Sequence, residues 1–388
     1  MNVAAKINQI IEVIENSNGS KSWNGFEGRL GYAIFYSSLF QMCGDNKYKE
    51  NAINLLDLEV LYYNLLKGRF NTFWSGFSGL SWTIKYLSKT NLITNDYNIC
   101  YFDPYLLKVA YRVMKKKNDF LNGSLGIFNS LIASSNELLN KSYAVKLIES
   151  LYGARIVKGE KSICWVQDSL HPNIYNLSLS HGMSSIVILL SKIHKKGVER
   201  EKCAELIEGA VNYILAQKLP QSNYTSVFGN YALECMEKPH SSRLAWCYGD
   251  LGIAVALWNA SQALVRKDWE NEAKVLLRHA SARRDMKENG IIDACFCHGT
   301  SGIAHVFNRM WKETEMPECR DAAAYWISQT LSIAKFKDGL AGYKTWQGAK
   351  RGFQNEYGLL EGIVGIGLAL LSYISEDNLT WDECLLLS

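Results

Sequence analysis

The chain is 388 residues long, with 42 lysines and arginines against 38 acidic side chains and a formal charge of +4. That balance leaves no basic footprint for a nucleic acid, and no run approaches the twenty apolar residues of a membrane span. Five prolines against 29 glycines favour long helices with glycine-marked ends.

A chain of this size can bury a large core. The opening Met-Asn-Val-Ala-Ala-Lys has no charged segment followed by an apolar core, so a cytoplasmic protein is expected. The ten cysteines (43, 100, 164, 203, 235, 247, 295, 297, 319 and 384) are scattered rather than dense. Most are expected to be reduced and buried, each taken alone behaving as a small hydrophobe.

A short pattern recurs seven times in chain order: Gly-x-x-Gly, then Ile, Tyr or Leu. It starts at Gly28, Gly76, Gly123, Gly182, Gly249, Gly299 and Gly362, with Ser185 replacing the second glycine of the fourth copy. Successive starts lie 48, 47, 59, 67, 50 and 63 residues apart, an interval that fits two helices and two connections. Each pair opens a segment too apolar for a surface helix, which predicts seven buried inner helices. An amphipathic stretch precedes each pair, at residues 4–15, 50–66, 104–116, 143–152, 201–218, 269–283 and 318–334, and predicts seven outer helices.

Strict alternation allows an open solenoid or a closed α/α toroid. Glycines three residues apart let neighbouring helix starts approach closely, as a tight inner ring needs. Solenoids end in atypical polar caps, whereas the first and last repeats here are as apolar as the rest, so a single α/α toroid over residues 1–388 is expected. Three long connections, near 153–180, 220–245 and 336–360, should lie over one face, where long loops tend to carry function. A small β excursion is expected around 162–166.

The residues able to do chemistry share one place in the repeat, just ahead of an inner helix. Asp119 is four residues before Gly123, His181 one before Gly182, and Cys247 two before Gly249, while Cys297 and His298 immediately precede Gly299. The equivalent positions in repeats one, two and seven hold Phe26 and Glu27, Trp74 and Ser75, and Leu360 and Glu361. Helix starts expose N–H groups and partial positive charge, which favours thiolates and oxyanions. Cys247, Cys297 and His298 offer two thiolates and an imidazole, a zinc ligand set with one position left for water or substrate. Asp119 and His181 would face it as acid and base.

Each residue also has an ordinary reading. His181 could cap a helix, Asp119 could be an N-cap, Arg243 could pair with a surface carboxylate, and Trp246-Cys247-Tyr248 could be core. Cys295 is a competing ligand if the local chain is extended.

The runs Ser180-His181-Gly182, Arg243-x-x-Trp246-Cys247-Tyr248-Gly249, Cys297-His298-Gly299 and Leu360-Glu361-Gly362-Ile363-Val364-Gly365-Ile366-Gly367 resemble those of the lanthipeptide (lantibiotic) cyclases, and the match extends over the whole chain. The resemblance implies an α/α toroid, a zinc held by Cys247, Cys297 and His298, and a lanthionine synthetase activity. It places the family's acid/base histidine on His181, its aspartate on Asp119, its arginine on Arg243 and its tyrosine on Tyr248. The substrate it implies is a dehydrated precursor peptide, leader plus core, in lantibiotic biosynthesis. A dehydratase and an ABC transporter would be partners, and the membrane association peripheral. Ser185 departs from the family's HGxxG pattern.

The chemistry suits those residues. A free thiol, with a pKa near 8.5, is only a few per cent thiolate at neutral pH, and zinc coordination deprotonates it. Addition to dehydroalanine or dehydrobutyrine gives an enolate, which a histidine of ordinary pKa near 6.5 can protonate. Two rival readings remain at this point. One is prenyltransferase-like thiol alkylation, which would want a strongly basic pocket; the other is a non-catalytic helical scaffold whose structural zinc takes Cys295 or His305 as a fourth ligand.

Overall fold

The structure, a computed structural model, describes residues 2–16, 24–66, 70–94, 97, 102–134, 136–220 and 224–388. Among the cysteines, Cys100 lies outside the described residues; the other nine form no disulfide with one another.

Every expected helix is present. The outer helices are α1 (Val3–Asn16), α3 (Asn46–Leu66), α5 (Asp103–Met114), α7 (Glu137–Ala154), α9 (Arg200–Leu215), α11 (Lys267–Ala282) and α13 (Pro317–Ser332). The inner ones are α2 (Arg29–Cys43), α4 (Phe77–Lys89), α6 (Ser124–Ile132), α8 (Met183–Lys195), α10 (Asp250–Leu264), α12 (Thr300–Thr314) and α14 (Ile363–Ile374). An outer helix buries one stripe, as α11 does with Trp269, Ala273, Leu276, Leu277 and Ala280. Each such leucine is worth about 1.5–3 kcal/mol. An inner helix is buried on all sides; α14 is buried continuously from Ile363 to Ser372.

The first glycine of each repeat is the N-cap of its inner helix. The second is needed because the chain ahead of the helix folds back over it. A Cβ on Gly302 would sit 1.7 Å from the Phe296 carbonyl oxygen, and one on Gly365 would sit 1.8 Å from that of Leu359. The preceding repeat crowds the same spot, with the Phe296 Cβ 2.9 Å from a Cβ on Gly365. Close approach of neighbouring helix starts was the sequence-based reason for these glycines; the loop's own backbone is the tighter constraint.

Contacts divide the chain into two compact units. One comprises Met1–Phe70, Trp74–Tyr97 and Arg284–Ser388. In it α1 packs on α14, and α14 packs on both α2 and α12, so the last repeat neighbours the first, as a closed ring requires. The other comprises Asn71–Phe73 and Asn98–Arg283, in which α6 packs on α8 and α8 on α10, with α7, α9 and α11 outside.

The expected β excursion is a two-residue antiparallel pair, β1 (Ile156–Val157) with β2 (Ile163–Cys164). A second pair, β3 (Thr345–Trp346) with β4 (Phe353–Gln354), lies in the connection before α14 and had no periodic signal long enough to read. Among the described residues no helix is long and apolar enough to cross a membrane.

Candidate metal and acid-base site

The run before α10 is built around Gly249 and Asp250. Gly249 has φ +84°, and a Cβ there would lie 2.2 Å from Ser242 Oγ, so only glycine fits. The fully buried Asp250 accepts from Val227 N–H (3.1 Å), Phe228 N–H (3.0 Å) and Arg283 Nη1 (2.9 Å). Arg283 also donates to the Ser242 carbonyl at 2.8 Å. Residues 242–250 are thereby pinned at both ends. Asp250 was not singled out from the sequence, although an acid in the first turn after a glycine cap was the available signal.

This framework holds Cys247 buried, with its carbonyl accepting from Leu179 N–H (3.2 Å), Ser180 N–H (3.3 Å) and Ser180 Oγ (3.2 Å). His181 is therefore next along a segment bonded to Cys247. Its own N–H donates to Ser178 Oγ at 3.1 Å. Ser185 keeps its helix start by donating to the Gly182 carbonyl at 2.6 Å.

His181 Nδ1 lies 3.7 Å from Asp119 Oδ2, and its side chain is 31% exposed. The other oxygen of Asp119 accepts from Asn122 N–H at 2.6 Å, so Asp119 caps its loop and faces His181 at once. Lys117 Nζ stands 3.5 Å from the same Oδ2. Burial alone would raise the Asp119 pKa, but the hydrogen bonds from His181 and Asn122 and the nearby positive charges outweigh it and hold the carboxyl below its ordinary value.

The Tyr248 ring centroid is 6.1 Å from that of His181. Burial, opposed by a hydrogen bond with Asn176, pushes the phenol up to about 12. Arg243 is exposed and forms no ion pair among the described residues, so the surface-carboxylate reading of it fails. Trp246 is fully buried core, as its ordinary reading had it.

The run before α12 is an ordered loop. Cys297 N–H donates to the Leu360 carbonyl at 2.9 Å. Asp293 accepts from Cys295 N–H (2.9 Å) and Trp346 N–H (2.7 Å), and Phe296 packs edge-on to Trp381 at 5.5 Å. Cys297 and His298 emerge half-buried, with His298 Nδ1 3.9 Å from Glu361 Oε1. Farther along that row Glu27 is pushed up to about 7, chiefly by burial and then by the charge of Glu361.

Cys247 stands two residues ahead of Gly249 in one compact unit, and Cys297 and His298 stand directly ahead of Gly299 in the other. Asp293, Cys295 and His298 each place one ligand atom within 4.8 Å of the others, but Asp293 is already engaged. Both Asp293 oxygens accept backbone N–H groups. Burial, then the charges of Asp293 and Glu361, raise the Cys295 thiol well above its ordinary value. The scaffold reading needs a fourth protein ligand to close the set Cys247, Cys297 and His298. His305, the other candidate for closing it, is fully buried with Nε2 bound to Asp382 at 2.7 Å. Two thiols and one imidazole are a donor set that suits zinc.

The family model described as lanthionine synthetase C-like protein matches residues 19–386. The chain is 20% identical over 426 residues to the nisin biosynthesis protein NisC of Lactococcus lactis subsp. lactis, covering 100% of this chain and 96% of that protein. Among solved structures, nisin cyclase superposes with a TM-score of 0.73 at 19% identity, over 100% of this chain and 96% of the other. The fold is thus the α/α toroid expected of seven alternating helix pairs.

Proposed function

Because the chain belongs to the lanthionine synthetase C-like family, we propose that it is a zinc-dependent lanthipeptide cyclase closing thioether rings in a dehydrated precursor peptide. Cys247, Cys297 and His298 are the metal ligands of this reading, and residues 1–388 act as one domain. The observation that carries it is that all three stand at the same place in their repeats, in the loop just ahead of a glycine-capped inner helix, Cys247 before α10 and Cys297 and His298 before α12. A zinc ion held by Cys247, Cys297 and His298 would supply the positive charge that lowers the pKa of a peptide cysteine thiol.

The protein's own residues manage the proton. His181 turns Nδ1 toward Asp119, which leaves Nε2 to take the proton released from the peptide S–H. The sulfur then bonds to the β-carbon of dehydroalanine or dehydrobutyrine, and the alkene electron pair moves onto the amide as an enolate. His181 returns the proton to the α-carbon, so that nothing is lost and the mass is unchanged. Asp119 orients the ring and stabilises its charged form. Tyr248, kept neutral by its high pKa, donates to the developing enolate oxygen, with exposed Arg243 adding charge. A leader-bearing precursor is the substrate, and the dehydratase that makes its alkenes and an ABC transporter for its export are the expected partners.

Incubation of the dehydrated peptide with the protein tests this: its cysteines should become resistant to alkylation at constant mass. Cys247→Ala or Cys297→Ala should lose zinc and ring closure together. Full activity of either variant without metal would contradict the assignment.

A further inference from the structure

The positions ahead of α2, α4 and α14 hold no metal ligand, yet they form one bonded row ending at His298. Trp74 Nε1 donates to Glu27 Oε1 at 2.9 Å, and Leu360 N–H donates to the same oxygen at 3.1 Å. Gly358 makes room for that carboxylate, since a Cβ there would fall 1.7 Å from Glu27 Oε2. Leu359 N–H donates to the Phe26 carbonyl at 3.1 Å, and the Leu360 carbonyl accepts from Cys297 N–H at 2.9 Å. Thr345 Oγ1 donates to the Glu361 carbonyl. The backbone on either side of Glu361 is therefore fixed, and its carboxylate oxygen reaches 3.9 Å from His298 Nδ1.

A metal-binding histidine needs its second nitrogen held, because that bond fixes the tautomer and the ring plane. A carboxylate 3.9 Å away on a braced backbone is placed to do this after a small side-chain rotation. We propose that Glu361 is a positioning residue for the metal centre, holding His298 by Nδ1 so that Nε2 is presented to zinc, with Glu27 and Trp74 bracing the segment that carries it. This rests on His298 being a zinc ligand.

The test is zinc affinity, measured by competition with a chromophoric chelator, alongside the melting temperature of metal-free protein. Glu361→Ala should bind zinc about 10- to 100-fold more weakly, with the metal-free melting temperature unchanged because the side chain is 33% exposed. Glu361→Gln retains an acceptor oxygen and should recover most of the affinity. Ring closure by the alanine variant should return when zinc is raised above its weakened dissociation constant. Equal zinc affinity in wild type and Glu361→Ala, or a glutamine variant no tighter than the alanine one, overturns the inference alone. A wild-type protein that binds no zinc refutes the metal reading and the inference with it.

Discussion

Among the histidine–aspartate pairs of the described residues, the contrast between His305–Asp382 and His181–Asp119 separates architecture from chemistry. His305 and Asp382 are 2.7 Å apart, with 1% and 0% of their side chains exposed. Asp382 also receives Nε and Nη2 of Arg309, each at 2.9 Å, and Arg309 Nη2 bonds the Leu379 carbonyl at 2.6 Å. The His305 ring packs 4.8 Å from Trp381. That pair is a buried staple fastening the C-terminal segment to α12. His181 and Asp119 are looser, 3.7 Å apart, and the histidine is 31% exposed. A proton can reach the second pair and leave it. Position in the repeat separates them too: His305 lies inside its helix, His181 at the entrance of one.

The largest expected effect falls on the open pair. His181→Ala should lower ring closure about 10²- to 10⁴-fold while zinc content and the unfolding midpoint stay at wild-type values. Quantitative alkylation protection with zinc analysis reads both. Retained activity with lost stability would exchange the roles of the two pairs.

Next comes the closed pair. Asp382→Ala leaves a buried Arg309 without its carboxylate, and breaking a buried pair in this way costs about 3–5 kcal/mol. Denaturant unfolding should show the loss, and ring closure per folded molecule should persist at low temperature.

Acid should find the closed pair as well. Burial would raise the Asp382 pKa, but the Arg309 charge and the His305 hydrogen bond outweigh it and hold the carboxyl far below the ordinary range. Burial likewise depresses His305, outweighing its bond to Asp382. Both folded values lie below the unfolded ones, so both contributions are complete above the unfolded values and are lost as the pH falls. Stability should decline from about pH 6.5 as His305 resists protonation, and further below about pH 4 as Asp382 does. Asp382→Asn should flatten the lower part of that decline in a series of unfolding curves against pH.

Little of this contrast could be read along the chain, although most of the scaffold could. Glycine pairs and apolar runs are local signals, which is why all fourteen helices fall where periodicity puts them. Cys247, Cys297, His298, His181 and Asp119 stand out as candidates in the sequence because each lies just ahead of an inner helix. Asp382 lies 77 residues from His305, and Glu361 lies 334 from Glu27. No periodic pattern marks either partnership; packing alone creates it. The pair β3–β4 was not expected from the sequence.

The smallest effect concerns what keeps the open pair open. Lys117 Nζ shares Asp119 Oδ2 with His181, at 3.5 Å against 3.7 Å, and its side chain is 42% exposed. An ion pair that exposed is worth only about 0.2–1 kcal/mol. Lys117→Gln should therefore change ring closure by no more than about fivefold. Its sign is informative: if Lys117 competes with His181 for the carboxylate, its removal tightens the His181–Asp119 contact and the rate rises. If its charge instead helps keep Asp119 ionised, the rate falls. Either change should shrink in about 1 M salt, where the screening length drops to about 3 Å. The 2.7 Å bond of His305, shielded from ions by its burial, should show no such salt dependence in its contribution to stability.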